Sequence, residues 1–292
     1  MSMYQNVGVP PVHNPPRGGS SWLHTLWVGF LLFVVATIIL FTTGNPNLYP
    51  TVILIGNFLV PVVFVAFLYD HQHLSLLTPE TIGRSFGVGG ILGVLGASVL
   101  ETLLLHPPSN ANQGLSLGSA LGVGLIEEGC KIAAVMFIAR RMRYTEPIDG
   151  LLLGAAVGMG FAALESTGYA FTAFLTQGHA TASIFSTVLR GILAPFGHGV
   201  WTAILGTVLF RQSGPKHFRI TGLVIVMYLF VSLLHGLWDG LPLVFSLTVI
   251  IPPGIPISVV TVTLSIIGII VLAVMYRRAL RQKFPQIPPA QI

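Results

Sequence analysis

Residues 115–139 read LSLGSALGVGLIEEGCKIAAVMFIA. A run of this length can cross the hydrocarbon of a bilayer, which takes about 20 predominantly apolar residues. Yet Glu127, Glu128 and Lys131 stand in its middle. Ionisable groups are costly in hydrocarbon and are seldom placed there without a role. Lys131 follows Glu127 by four residues and Glu128 by three, so it can face either carboxylate. A structural ion pair accounts for one glutamate and leaves the other over. Two neighbouring carboxylates in different electrostatic surroundings are how a base and an acid coexist in one site.

The rest of the chain has the same character. Of its 292 residues, 53% are hydrophobic and 8% charged, where a soluble domain carries about 25% charged residues. Mean hydropathy is +0.83. The composition predicts an all-α, polytopic transmembrane helical bundle. Spans are expected near 22–43, 50–69, 84–106, 115–139, 148–175, 183–210, 219–246 and 257–276, about eight helices. The first run is too long for a signal-peptide core and lacks a small-residue cleavage site, so it reads as a retained helix. Residues 1–20 are rich in Pro, Gly and Asn and read as a disordered cytoplasmic tail. An integral domain is expected over 21–278, its motif-bearing core over 115–246, with a second cytoplasmic tail over 279–292. Cys130, the single cysteine, permits no internal disulfide and reads as a small apolar filler.

Charge placement orients the bundle. Arg17, Arg84, Arg140, Arg141, Arg143, Arg211, Lys216, Arg219, Arg277, Arg278, Arg281 and Lys283 fall on one set of alternate loops and both tails. The opposite loops, TTGNPNLYP, HPPSNANQG, TQGHAT and IIPPGIP, hold no Lys or Arg. By the positive-inside rule both termini are cytoplasmic. With the net charge of +5 distributed this way, the expected partner is the lipid bilayer and not nucleic acid. Two basic residues remain, Lys131 and Arg190, both inside spans. Arg190 and Glu101 lie at similar depth near the outer ends of their helices, and a structural ion pair between them is expected. The glycines of helices 3 and 5 (among them Gly87, Gly90, Gly93, Gly154, Gly158 and Gly160) suit close helix packing.

Counted from the outer ends of their helices, Glu127, Glu165, His198 and His235 lie at depths agreeing within about 8 Å at 1.5 Å per residue. Four consecutive helices therefore bring polar groups to one layer. His235 and Asp239 are four apart and share a face; the carboxylate can orient the imidazole, or both can reach one ligand. His198 follows Pro195 and Gly197, where a kink can open the backbone. Glu165 has no cation one turn away, so its partner must come from another helix. Phe161 reads as packing. There is no His-Glu-x-x-His pair.

Glu127-Glu128-x-x-Lys131, then Phe161-x-x-x-Glu165, then His198, then His235-x-x-x-Asp239, in that order on consecutive helices, resembles the PrsW family of intramembrane proteases. That family is related to the CAAX prenyl endopeptidases and bacteriocin-processing enzymes. Lys131, Glu165 and Asp239 set the chain on the PrsW side; Ser166 stands where that family often has Asn. The resemblance implies an integral enzyme of the bacterial plasma membrane that hydrolyses a membrane-anchored protein, for which an anti-sigma factor is the family's association. It implies Glu127, Glu128, Lys131, Glu165, His198, His235 and Asp239 as the catalytic set. Glu127 or Glu128 would take the proton of a water, tuned by Lys131. His198 and His235 would activate water or stabilise the oxyanion, with Asp239 orienting His235. In a metal version Glu165, His198, His235 and Asp239 would hold zinc; a metal-free glutamate–histidine mechanism stands beside it. Two other classes suit intramembrane Glu and His: a proton-coupled transporter, which would favour repeated halves that are not visible here, and a non-enzymatic scaffold or immunity protein.

Overall fold

The computed structural model describes residues 19–75, 77–105, 115–142, 146–177, 180–214, 217–245, 247–251 and 255–281. The expected tails therefore lie almost wholly outside the described residues, as does the loop HPPSNANQG. Eight long helices occupy the positions expected from the apolar runs: α1 (Ser21–Thr43), α2 (Tyr49–His71), α3 (Pro79–Leu104), α4 (Leu117–Ala139), α5 (Pro147–Gln177), α6 (Ala180–Gln212), α7 (Gly222–Val244) and α8 (Val259–Arg281). Seven are long and apolar enough to cross a membrane on composition alone. The eighth, α4, is the one that carries Glu127, Glu128 and Lys131.

Side chains close the helix ends. Ser116 Oγ accepts from the Ser119 N–H, Thr78 from Thr81 and Thr221 from Val224, satisfying donors that a helix start leaves open. Gly44, at φ +63°, ends α1 in the left-handed conformation that a residue without Cβ adopts at no steric cost. α3 begins at Pro79, so Arg84 lies within its first turns and not in the preceding loop. Helix α6 runs through Pro195.

α5 and α6 form the centre. Along their most apolar stretches 89% and 83% of residues are buried, against 6% for α1. Glycine explains how they pack so closely. A Cβ on Gly150 would strike the Gly206 carbonyl, one on Gly154 the Thr202 carbonyl, and one on Gly158 would come within 2.5 Å of the His198 carbonyl. These positions recur every four residues and so form one seam. The turn Ser85–Gly89 of α3 is a π-helix, and beside it the Phe86 carbonyl abuts Gly160. Gly124 of α4 meets the Ser232 carbonyl of α7, and Gly236 answers it, its Cβ direction ending 2.6 Å from Leu121 Cα. Backbone thus meets backbone between α5 and α6 and between α4 and α7, the four helices that carry the polar groups.

One element departs from expectation. The segment read as a plain loop between α7 and α8 contains an antiparallel pair, β1 (Thr248–Ile251) and β2 (Ile255–Ser258), with Val249 opposite Ile257 and Ile250 opposite Pro256. β-branched residues stand in both strands, which favours strand over helix.

Candidate active site

Lys131 lies fully buried on α4 and fixes the centre. Its ammonium has three N–H bonds and no acceptor capacity. They reach Glu127 Oε2 at 3.0 Å, Glu128 Oε1 at 2.8 Å and His198 Nδ1 at 2.8 Å. The Phe161 ring of α5 covers the same nitrogen at 4.0 Å from its centroid, a favourable cation–π placement. Phe161, read as packing, therefore also contacts the charge. Since His198 Nδ1 accepts from Lys131, the neutral imidazole keeps its hydrogen on Nε2, which lies 3.2 Å from Glu165 Oε2.

The two adjacent glutamates differ in surroundings. Glu128 is fully enclosed: Oε1 receives His235 Nδ1 at 3.1 Å as well as Lys131, and Oε2 receives the Thr202 hydroxyl at 3.2 Å. Glu127 makes its contacts through Oε2 alone, which also lies 3.5 Å from His235 Nε2 and 3.6 Å from His198 Nδ1. Asp239 Oδ2 is 3.3 Å from His235 Nε2. The imidazoles stand edge to face with ring centroids 4.8 Å apart, and Trp201 closes over His235 at 4.9 Å. All seven residues singled out from the sequence thus meet in one cluster, drawn from α4, α5, α6 and α7.

Two features differ from the sequence reading. Arg190 does not pair with Glu101: its Nη2 reaches Glu165 Oε2 at 2.8 Å. α5 and α6 are consecutive antiparallel neighbours, so Glu165 and Arg190 meet directly. Glu101 on α3 keeps a buried Oε1 without a hydrogen-bond partner. Thr202 was not singled out; it lies one turn after His198, and its single hydroxyl hydrogen is shared between the His198 carbonyl, at 2.9 Å, and Glu128, at 3.2 Å. The i+4 spacing from a motif histidine was the available signal.

A model of the PrsW family of intramembrane metalloproteases matches residues 78–277. The chain belongs to that family. It is 27% identical over 186 residues to Protease PrsW of Halalkalibacterium halodurans, covering 63% of this chain and 80% of the relative. It is 29% identical over 174 residues to Protease PrsW of Bacillus subtilis, covering 59% and 71%. No solved structure matches the chain. The PrsW match runs from the start of α3 to near the end of α8 and so contains the whole cluster, while α1 and α2 lie outside it. This PrsW chain is accordingly an integral membrane protease of bacterial type, with a membrane-embedded polar centre.

The family's metal can be tested against these residues. Glu127, His198 and His235 each offer a ligand atom within 4.8 Å of the others, all three buried. Both imidazole Nε2 atoms are buried without a hydrogen-bond partner. Four carboxylates (Glu127, Glu128, Glu165 and Asp239) face two permanent cations, Lys131 and Arg190. Donor type, burial and charge therefore fit a divalent ion. The carboxylate common to both histidines is Glu127; of the two imidazoles Glu165 meets His198 alone and Asp239 meets His235 alone. One exchange is required: His198 can ligate through Nε2 only after that nitrogen loses its hydrogen, which the Lys131 bond to Nδ1 opposes.

Proposed function

We propose that this cluster hydrolyses a peptide bond of a membrane-anchored protein at the depth of Glu127, with Glu127 as the general base. The observation that carries the reading is the asymmetry of the glutamate pair: both Glu128 oxygens are engaged by Lys131, His235 and Thr202, while Glu127 has an oxygen outside these contacts. Glu127 takes a proton from water as the water oxygen bonds to the scissile carbonyl carbon. The C–N bond then breaks as the amide nitrogen receives that proton through His235 Nε2, 3.5 Å from Glu127 Oε2. The Nε2–H of His198 lies 3.2 Å from Glu165 Oε2 without hydrogen-bond geometry to it, which leaves it as a donor for the developing oxyanion. Glu128 positions Lys131 and His235, and Asp239 holds the far side of His235. Glu165, neutralised by Arg190, orients His198. In a metal version Glu127, His198 and His235 would instead hold a divalent ion, zinc being the one suited to N and O donors, which would supply Lewis-acid activation of the carbonyl or water in place of their base and donor roles.

The site's place in the bundle supports a membrane-anchored substrate, which we read as a single-pass protein cut within the bilayer. An anti-sigma factor is the candidate that the family suggests. The test is cleavage of candidate single-pass proteins by purified protein in detergent, wild type against Glu127→Gln. Product formed by the wild type and lost in the variant supports the reading. Equal cleavage by both rejects Glu127 as base. Elemental analysis of protein purified without added metal, followed by chelation and zinc re-addition, separates the two versions: full activity of metal-free protein removes the ion from the mechanism.

A further inference from the structure

The β1–β2 hairpin has an edge that nothing among the described residues covers. Its hydrogen-bond phase can be derived. The Val259 N–H bonds the Leu247 carbonyl at 3.0 Å, one step beyond the Thr248–Ser258 pair. Bonded and unbonded pairs alternate along an antiparallel ladder. Val249–Ile257 and Ile251–Ile255 are then the bonded pairs, and Thr248 and Ile250 turn their N–H and C=O groups away from β2. Pro256, which has no N–H, stands opposite Ile250, as this phase requires. The two edges therefore differ: β2 is blunted by proline at its outward position, whereas β1 carries neither proline nor charge, the usual protections of an open edge. Ile250 is 71% exposed.

Its location makes this edge costly to leave open. Ile257 of β2 lines one apolar groove with Phe185, Val188, Leu189, Ile192 and Leu193 of α6. Those α6 positions lie about 8–20 Å below the Ala180 end at 1.5 Å per residue, the end opposite the basic loops. The hairpin thus sits beside the outer half of α6, level with Arg190 and above His198. Open sheet edges facing lipid do not persist within hydrocarbon, because each unsatisfied backbone group there costs several kcal/mol. A spanning substrate meets the same constraint. Its carbonyls are held in intrahelical bonds, so the bond to be cut must first unwind, and the unwound backbone needs new partners at that depth.

We propose that the free edge of β1 receives the unwound, apolar segment of the membrane-anchored substrate as an added strand, presenting it to the Glu127–His235 centre. Thr248 and Ile250 supply two N–H and two C=O groups, which is strand addition to an open sheet edge. The edge is tied to the centre through α7, whose Asp239 precedes β1 by only the last helical turn and a short link. The proposal rests on the peptidase reading above, and the experiment separates the two.

The test uses the full chain in lipid nanodiscs, in the Glu127→Gln form so that nothing is cut. The probe is a synthetic single-pass peptide with a polyleucine span and a valine–threonine segment at its outer end, carbon-13 labelled at that segment's carbonyls. Isotope-edited infrared spectra are expected to show the labelled carbonyls at the β-strand frequency only with protein present. Ile250→Pro removes one outward N–H and leaves the β1–β2 bonds, a position where edge strands accept proline. It is expected to weaken probe binding about tenfold, and Ile250→Val to leave it unchanged. N-methylation of the labelled segment tests the same bonds without altering the protein and is expected to abolish the strand signal. Labelled carbonyls that stay helical or irregular overturn the proposal, as does an N-methylated probe that binds equally well. So does an Ile250→Cys variant that links to a second copy of itself in probe-free nanodiscs, since the edge would then belong to a dimer. Cleavage of a validated substrate is read separately. Strand signal without cleavage rejects the peptidase reading and retains the edge; cleavage unchanged by Ile250→Pro does the reverse.

Discussion

Lys131 has three hydrogens to donate and three acceptors to receive them, on α4 itself and on α6. Substitution here acts on geometry as well as charge. Lys131→Met would leave Glu127 and Glu128 facing each other in a buried site, and breaking one side of such a buried ion set costs about 3–5 kcal/mol. A thermal unfolding scan in detergent should show a large fall in midpoint, together with loss of cleavage. The glutamates should separate under the same two measurements. Glu127→Gln is expected to abolish cleavage, by a factor of about 100 or more for a lost general base, at nearly unchanged midpoint. Glu128→Gln is expected to lower both, because it loosens Lys131, His235 and Thr202 together. A Glu128→Gln enzyme of wild-type stability and rate would reject its positioning role. The residue types of this cluster were legible in the sequence because charge inside an apolar run is conspicuous. Which acid takes Arg190 was not. Counting along helices fixes depth but not the direction a side chain faces, and Glu101 and Glu165 both lay within reach of that depth.

At the level of elements, the glycine seams carry the arrangement. Gly124→Leu would drive a side chain into the Ser232 carbonyl and toward Gly236 N, only 2.8 Å from where a Cβ would stand. α4 and α7 must then part, moving Glu128 away from His235. Overpacking of this kind costs about 1–3 kcal/mol, and cleavage should fall further than stability does, since the site spans that seam. Gly168→Ala on α5 is the control: nothing lies within 4 Å of its Cβ position, and the exchange should be neutral or stabilising by up to about 1 kcal/mol. Helix existence and approximate limits followed from apolar run length alone, which in a bilayer is a strong constraint. The hairpin was not legible in the same way. Its strands are four residues each, too short for periodicity to distinguish from a loop, and their pairing depends on how α6 supports them.

For the molecule as a whole, the distribution of basic residues predicts sidedness that reporter fusions can read. Fusions after Thr43 and after Gln177 should report the outer side, and fusions after Arg141 and after Gln212 the cytoplasm. A cytoplasmic signal at Gln177 would reverse α5 and α6 and remove the common polar layer. The same scale governs how the chain is made. α4 is the helix whose three charges exclude it from the spans evident by composition, and each charge at mid-span opposes insertion by about 2.5–3.5 kcal/mol. Lys131 can cancel part of that within α4, but His198, Thr202 and His235 lie on α6 and α7 and emerge from the ribosome only afterwards. During synthesis α4 is therefore a poor passenger of the insertion machinery, dependent on helices not yet made. A chain stopped after Arg141 should leave α4 outside the bilayer, whereas one extended through Val244 should retain it, as protease protection of α4 in membranes would record. Variants of Lys131, Glu128 or His235 would then lower the amount of protein in the membrane as well as its activity. The polar centre would thus be a quality-control point in the protein's biogenesis, because only a chain that completes it keeps α4 in place.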